Sequence, residues 1–200
     1  MYRFIYLMIL LMIADLIAQE QTLLKDEHEN SGFGGLVLKF TNINKQNAVM
    51  IGGRGGWILG HSLVLGGGGY MVINEIDAPV NALPLEGPLD IEFGYIGFEL
   101  EYIFDPTSLY HLSIYTLLGG GATNFVKDVG PLSSSNEQAG ETAFMFVMEP
   151  AVNAELNMTE WFRLCVGISY RMTIGVDQEM LDDSDFSGVN GTLTFKFGKF

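Results

Sequence analysis

The side chains in this 200-residue chain best suited to chemistry are a histidine and a serine two positions apart, His111 and Ser113. In an extended segment, alternate residues point the same way, so the two share a face with Tyr115 beyond them. A histidine that accepts the hydroxyl proton turns serine into a nucleophile, and a carboxylate can orient the ring. Glu99 or Glu101, on the preceding extended segment, could supply that acid. Nine glycines lie between Gly52 and Gly69, and a glycine-rich loop can cradle phosphate. Here no Gly-Lys-Ser/Thr follows and no helix begins, so the glycines read as places where strands bend or approach closely. Trp57 and Tyr70 are placed to cover the bare backbone there. The acidic run from Asp177-Gln178-Glu179 to Asp185 could collect Ca²⁺, but it lacks the ordered spacing of an EF-hand and reads as a solvated loop. His28 and His61 have no partner at ligand spacing. No metal site and no cofactor are implied. Cys165 is the single cysteine, which excludes an internal disulfide and suits a small buried hydrophobe.

The elements that must carry these residues read as strand after strand. The pattern predicts Phe33–Ile43, Ala48–Leu59, Ser62–Ile73, Leu89–Phe104, Leu109–Thr123, Thr142–Asn157, Trp161–Gly175 and Gly188–Phe200. Most reach the roughly 9–11 tilted residues that cross a bilayer, longer than the typical soluble strand of about 5–6. Connections alternate between short and long. Gly60-His61, Asp105–Ser108 and Met158–Glu160 are tight; Asn74–Pro88, Asn124–Glu141 and Val176–Ser187 are long, polar and acidic. Asn42–Asn47 is a short exception on the long side. Outer-membrane barrels alternate in the same way, with tight periplasmic turns and longer outer loops.

Polar and apolar residues alternate within the strands. In the seventh, Phe162, Leu164, Val166, Ile168, Tyr170, Met172 and Ile174 oppose Arg163, Cys165, Gly167, Ser169, Arg171 and Thr173. In the sixth, Phe144, Phe146 and Val152 oppose Glu149, Asn153 and Glu155. A tight turn between the two strands predicts Glu155 opposite Arg163 and Glu149 near Arg171. A membrane barrel must turn its charges inward, because Arg at the bilayer midplane costs roughly 2–4 kcal/mol. The expected interior network is Lys39, Arg54, Glu92, Glu99, Glu101, Glu149, Glu155, Arg163 and Arg171. In the fourth strand the apolar set shifts from Ile91, Phe93 and Tyr95 to Phe98, Leu100 and Tyr102, which predicts a bulge near Gly97.

The N-terminus bears on compartment. Met1-Tyr2-Arg3 is followed by an apolar run from Phe4 to Ile13 and a small-residue site at Ala18-Gln19, the pattern of a secretory signal peptide over residues 1–18. Residues 19–31 form a polar leader and 32–200 the barrel. No run reaches the roughly 20 apolar residues of a spanning helix. The net charge is −14, and removing residues 1–18 takes Arg3 and Asp15 together and leaves it unchanged. So acidic a surface argues against nucleic acid and offers no basic patch to anionic headgroups.

Read together, these features predict an all-β, closed up-and-down antiparallel transmembrane β-barrel of about eight strands, preceded by a signal peptide. The alternating segments, the stretch from Glu149-Pro150 to Arg171 and the ending Phe195-Lys196-Phe197-Gly198-Lys199-Phe200 resemble the small outer-membrane barrels of Gram-negative bacteria. Gly52-Gly53-Arg54-Gly55-Gly56-Trp57 through Gly66–Tyr70 resembles uncharacterised members of that group. By resemblance, the C-terminal Phe200 implies recognition by the barrel-assembly machinery, although Phe195 and Phe197 fall on the opposite face from Phe200. The His111-x-Ser113 pair is similar to that of the outer-membrane lipid A deacylases, which implies a lipid-modifying enzyme. The expected topology instead puts His111 near the periplasmic turn, and a polar pair inside a barrel needs no catalytic explanation. The expectation is therefore a non-enzymatic barrel in contact with outer-membrane lipid, structural or surface-binding through its acidic loops, with its outer ligand open. A narrow small-ligand conduit is the alternative.

Overall fold

A computed structural model describes residues 31–80, 82, 89–127, 138–178 and 180–200. The expected signal peptide, most of the polar leader and the central parts of two long links lie outside the described residues.

Eight antiparallel strands, each hydrogen-bonded to its neighbours in sequence, close into a barrel. They are β1 (Ser31–Ile43), β2 (Gln46–Leu59), β3 (Leu63–Val72), β4 (Leu89–Ile103), β5 (Tyr110–Lys127), β6 (Gln138–Thr159), β7 (Phe162–Ile174) and β8 (Gly188–Lys199). The seam joins Gly32–Phe40 of β1 to Gly191–Lys199 of β8, so no strand edge is left open. β5 and β6 run past their predicted ends through a register shift between Thr123 and Phe125. Hydropathy marks where an apolar belt stops, whereas the backbone ladder continues with any side chain. The β1–β2 connection contracts to Asn44-Lys45, both at positive φ, like Gly60-His61 at the next turn. Positive φ at both central residues sets the twist of tight hairpins.

The barrel is inside-out relative to a soluble one. Its outer wall carries Leu36, Trp57, Ile96, Phe98, Phe144 and Val166, with Trp57 74% and Phe98 84% exposed. Lys39, Glu101, Glu149 and Arg171 are fully buried within. Water cannot satisfy backbone groups in hydrocarbon, so closed barrels with apolar exteriors are one of two structures that span bilayers.

The glycine-rich segment is wall and not loop: β2 and β3 pair Gly53 with Gly69, Gly55 with Gly67 and Gly56 with Gly66. Tyr70 packs inward over this stretch, while Trp57 points to the opposite face. Close backbone approach requires glycine at inward positions such as Gly119, where a Cβ would lie 2.0 Å from the Ile96 carbonyl oxygen. At the outward Gly34 nothing lies within 4 Å.

The phase of β4 corrects one expectation. Its pairing with β3 and β5 is unbroken through Gly97, so there is no bulge. Ile91, Phe93, Tyr95, Glu99, Glu101 and Ile103 all face inward. The interior itself changes character along the barrel axis. Toward the long-loop end it is apolar, with Val37, Met50, Phe93, Leu117, Val147 and Phe186 in one cluster. The middle holds the charges. The short-turn end closes with Phe33, Ile58, Val64, Ile103 and Phe200.

Candidate functional site

The charged middle layer is built from one or two inward positions on each of several strands. Lys39 (β1) donates to Glu149 Oε1 (β6) at 2.6 Å and to the Tyr95 hydroxyl (β4) at 2.9 Å. The Tyr95 hydroxyl donates to the other oxygen of Glu149, and Ser169 (β7) to Oε1 at 2.6 Å. Lys39 Nζ also lies 3.4 Å from the centre of the Tyr70 ring, an arrangement that favours the cation. Tyr70 donates in turn to Glu99 Oε1 at 2.8 Å.

Nearer the short turns, Arg54 (β2) donates to Glu99 at 2.7 Å and to Glu101 at 3.2 Å. Lys196 (β8) bridges Glu101 at 2.9 Å and Glu155 at 2.7 Å. Ser113 (β5) lies 2.7 Å from Glu101 Oε1 and 2.6 Å from Glu155 Oε1, and accepts from Asn153 Nδ2 at 3.2 Å. Four carboxylates, three cations and their hydroxyl partners thus share one enclosed volume among the described residues. Charges removed from water persist only where partners satisfy them.

Of the residues expected inside, the structure places Lys39, Arg54, Glu99, Glu101, Glu149, Glu155, Arg163 and Arg171 there. Glu92 is a correction: it is exposed, and its Oε2 accepts from Asn124 Nδ2 at 3.0 Å. With β4 unbroken, Glu92 is in phase with the outward Ile96 and Phe98, and it sits toward the long-loop end, where that face meets no apolar belt. The expected strand pairings also shift. Glu155 faces Cys165, and Asn157 faces Arg163, leaving Arg163 3.9 Å from Glu155. Glu149 takes its cation from across the barrel, not from Arg171. Lys196 is also buried inside, beyond the expected set. Its signal was local, since in Thr194-Phe195-Lys196-Phe197 the lysine alternates with two aromatics that face out.

His111 and Ser113 do share a face, but they do not bond to each other. The His111 ring meets the Ser108 carbonyl, Glu155 and Arg163, and the Ser113 hydroxyl meets Glu101, Glu155 and Asn153. A nucleophile needs its base within hydrogen-bond reach, and here Glu155 stands between them.

Arg171 connects the interior to the cap. Its Nε donates to the Phe186 carbonyl at 2.6 Å, and its Nη2 lies 3.4 Å from the Asn42 carbonyl. Phe186 ends a one-turn helix, α1 (Asp183–Phe186), and packs on Phe93 with ring centres 5.0 Å apart. Asp182 caps α1 by accepting from the Ser184 amide, and the Asp185 side chain accepts from the Asp182 amide, a reciprocal capping box. The hydroxyl and amide of Ser184 hold the Asp182 carboxyl below its ordinary value. A second loop joins this cap: Ile76 is fully buried and its carbonyl accepts from the Ile91 amide at 2.7 Å. The β1–β2 turn ties both together, with Asn44 N donating to the Asp185 carbonyl and Asn44 Nδ2 to the Asp77 carbonyl.

No protein-family model matches the sequence, and no curated protein does. Solved structures do. Neisserial surface protein A superposes with a TM-score of 0.54 at 14% identity, over 86% of this chain and 97% of that one. The N-terminal β-barrel domain of Pseudomonas aeruginosa OprF gives 0.48 at 11% identity, over 85% and 99%. Ail, the attachment invasion locus protein of Yersinia pestis, gives 0.49 at 11% identity, over 86% and 97%. The chain has the closed eight-stranded antiparallel fold of the small outer-membrane barrels.

Proposed function

We propose that this protein spans the bacterial outer membrane as a non-conducting barrel and offers its long-loop end as a surface for binding or envelope contact. The observation that carries this reading is the filled lumen: paired charges occupy its middle, and Phe186, Ile76 and Leu181 are buried beneath a folded cap. An eight-stranded barrel has an interior just wide enough for side chains to fill, and here they fill it. The described part of the acidic β7–β8 loop, ordered around α1, then offers a preorganised outer face. The surface designation of the Neisserial protein with the same fold agrees with that role. Export rests on residues 1–18 acting as a signal peptide. Outer-membrane lipid is the partner of the apolar wall, and the barrel-assembly machinery is the partner during biogenesis.

The test combines cell fractionation with gel mobility. The protein is expected in the membrane fraction, soluble only in detergent, and faster-migrating before heating than after. Release in an aqueous periplasmic extract would rule the reading out in favour of a soluble barrel. Pure protein in planar bilayers is expected to give no discrete conductance steps; such steps would establish the conduit instead. His111→Ala and Ser113→Ala are expected to leave lipid A composition unchanged in cells, and a change would favour the enzyme.

A further inference from the structure

One cation organises the short-turn end of the lumen. Arg163 sets its guanidinium 4.0 Å over the Phe200 ring and directs Nη2 to the Pro106 carbonyl at 3.4 Å. Its Nη1 lies 3.4 Å from His111 Nε2 and 3.9 Å from Glu155 Oε2. Phe200 stacks on Phe33 at 6.3 Å, so the last residue of the chain covers this end over Ile58, Val64 and Ile103.

His111 decides how Arg163 is shared. Its Nδ1 lies 3.3 Å from the Ser108 carbonyl oxygen. A carbonyl only accepts, so Nδ1 carries a proton. Nε2 sits between two groups with opposite requirements. Arg163 Nη1 donates and needs a bare lone pair. Glu155 Oε2, 3.3 Å away, accepts and needs a proton there. That oxygen is buried and has no hydrogen-bond partner among the described residues, whereas Oε1 has both Ser113 and Lys196. The two patterns exclude each other, and a single proton on Nε2 converts one into the other.

We propose that His111 is a proton-operated latch: protonation gives Glu155 Oε2 to the imidazolium and drives Arg163 away, freeing Phe200 from the end of the lumen. The proton comes from bulk water and forms the Nε2–H bond, and no bond between heavy atoms changes. The other titratable and charged groups around the ring are Glu155 on β6, Arg163 and Cys165 on β7, Lys196 on β8 and Glu101 on β4. Lys196 keeps Glu101 and Glu155 Oε1 in either state, so the added positive charge falls on the contact between His111 and Arg163. The imidazole is the side chain whose charge changes near neutrality.

The experiment is NMR on the full-length barrel in phospholipid nanodiscs, from about pH 8.5 to about pH 4.5, the range that brackets imidazole titration. The His111 ring, Arg163 Nε–Hε and Phe200 ring signals are expected to follow one titration curve, with Arg163 losing the ring-current shift that Phe200 imposes. In His111→Asn, whose amide can still donate to Ser108, the Arg163 and Phe200 signals are expected to stay constant. The latch is overturned if His111 does not titrate in this range, if Arg163 and Phe200 hold still while it does, or if they move equally in His111→Asn. The wild-type measurement is decisive even where the variant fails to fold.

Discussion

Lys39 and Glu149 meet at 2.6 Å with neither side chain reaching solvent. A buried pair adds little net stability over an apolar substitute, but half a pair is costly. Lys39→Met leaves Glu149 with only the Tyr95 and Ser169 hydroxyls. It is expected to lower unfolding stability by about 3–5 kcal/mol, measured by urea titration in lipid or detergent. Adding Glu149→Gln to the same protein should recover most of that loss. Asp182 poses the opposite case, an exposed carboxylate whose value in the fold is depressed by Ser184. Its contribution to the cap is complete above the ordinary aspartate value of about 3.9 and lost as pH falls through the lowered one. Proteolysis within residues 175–187 is therefore expected to rise only in strong acid. A rise near neutral pH would show that Asp182 does not govern the cap.

Among the strands, glycines on the two faces of the wall should respond differently to the same change. Gly119→Ala puts a methyl against the Ile96 carbonyl and is expected to cost about 1–3 kcal/mol, as overpacking does. Gly34→Ala meets open space and should shift stability by less than about 0.5 kcal/mol. Equal effects in the two variants would contradict the close backbone approach. Strand phase also explains what could be read in advance. β6 and β7 alternate cleanly, so parity alone assigns Glu149, Glu155, Arg163 and Arg171 to the interior. β4 misled because its inward residues change from Phe93 and Tyr95 to Glu99 and Glu101 while the backbone keeps its phase. A hydropathy pattern registers that change of interior as a slip of the strand. The supposed bulge at Gly97 and the inward Glu92 are one error, since a seven-residue separation can put Glu92 and Glu99 on one face only if the phase breaks between them. The cap around α1 was not legible, because its order depends on Arg171, Asn44 and Ile91, all distant in sequence.

For the molecule as a whole, the decisive property is which solvent its outer wall meets. Ile96 stands in the middle of β4 and is 71% exposed. In a bilayer Ile96→Arg is expected to cost about 2–4 kcal/mol and to reduce the folded, heat-modifiable fraction. In water the same change would be harmless at a surface position, so an unaffected variant would argue against a lipid-facing wall. Compartment rests on a different part of the chain. The charge order and apolar run of residues 1–18 predict it, and fractionation tests it independently of the barrel. The seam carries a further consequence, for time and not for equilibrium. Val37 pairs with Thr194, so the ladder that completes the cylinder joins segments separated by nearly the whole barrel sequence. Closing this ladder first would cost the entropy of a very long loop, so it is expected to follow the other seven. Assembly should be slow, and once the last ladder forms, opening should be slower still. Refolding and unfolding curves would then fail to overlap over laboratory times, and the protein's persistence in the envelope would be set by a rate.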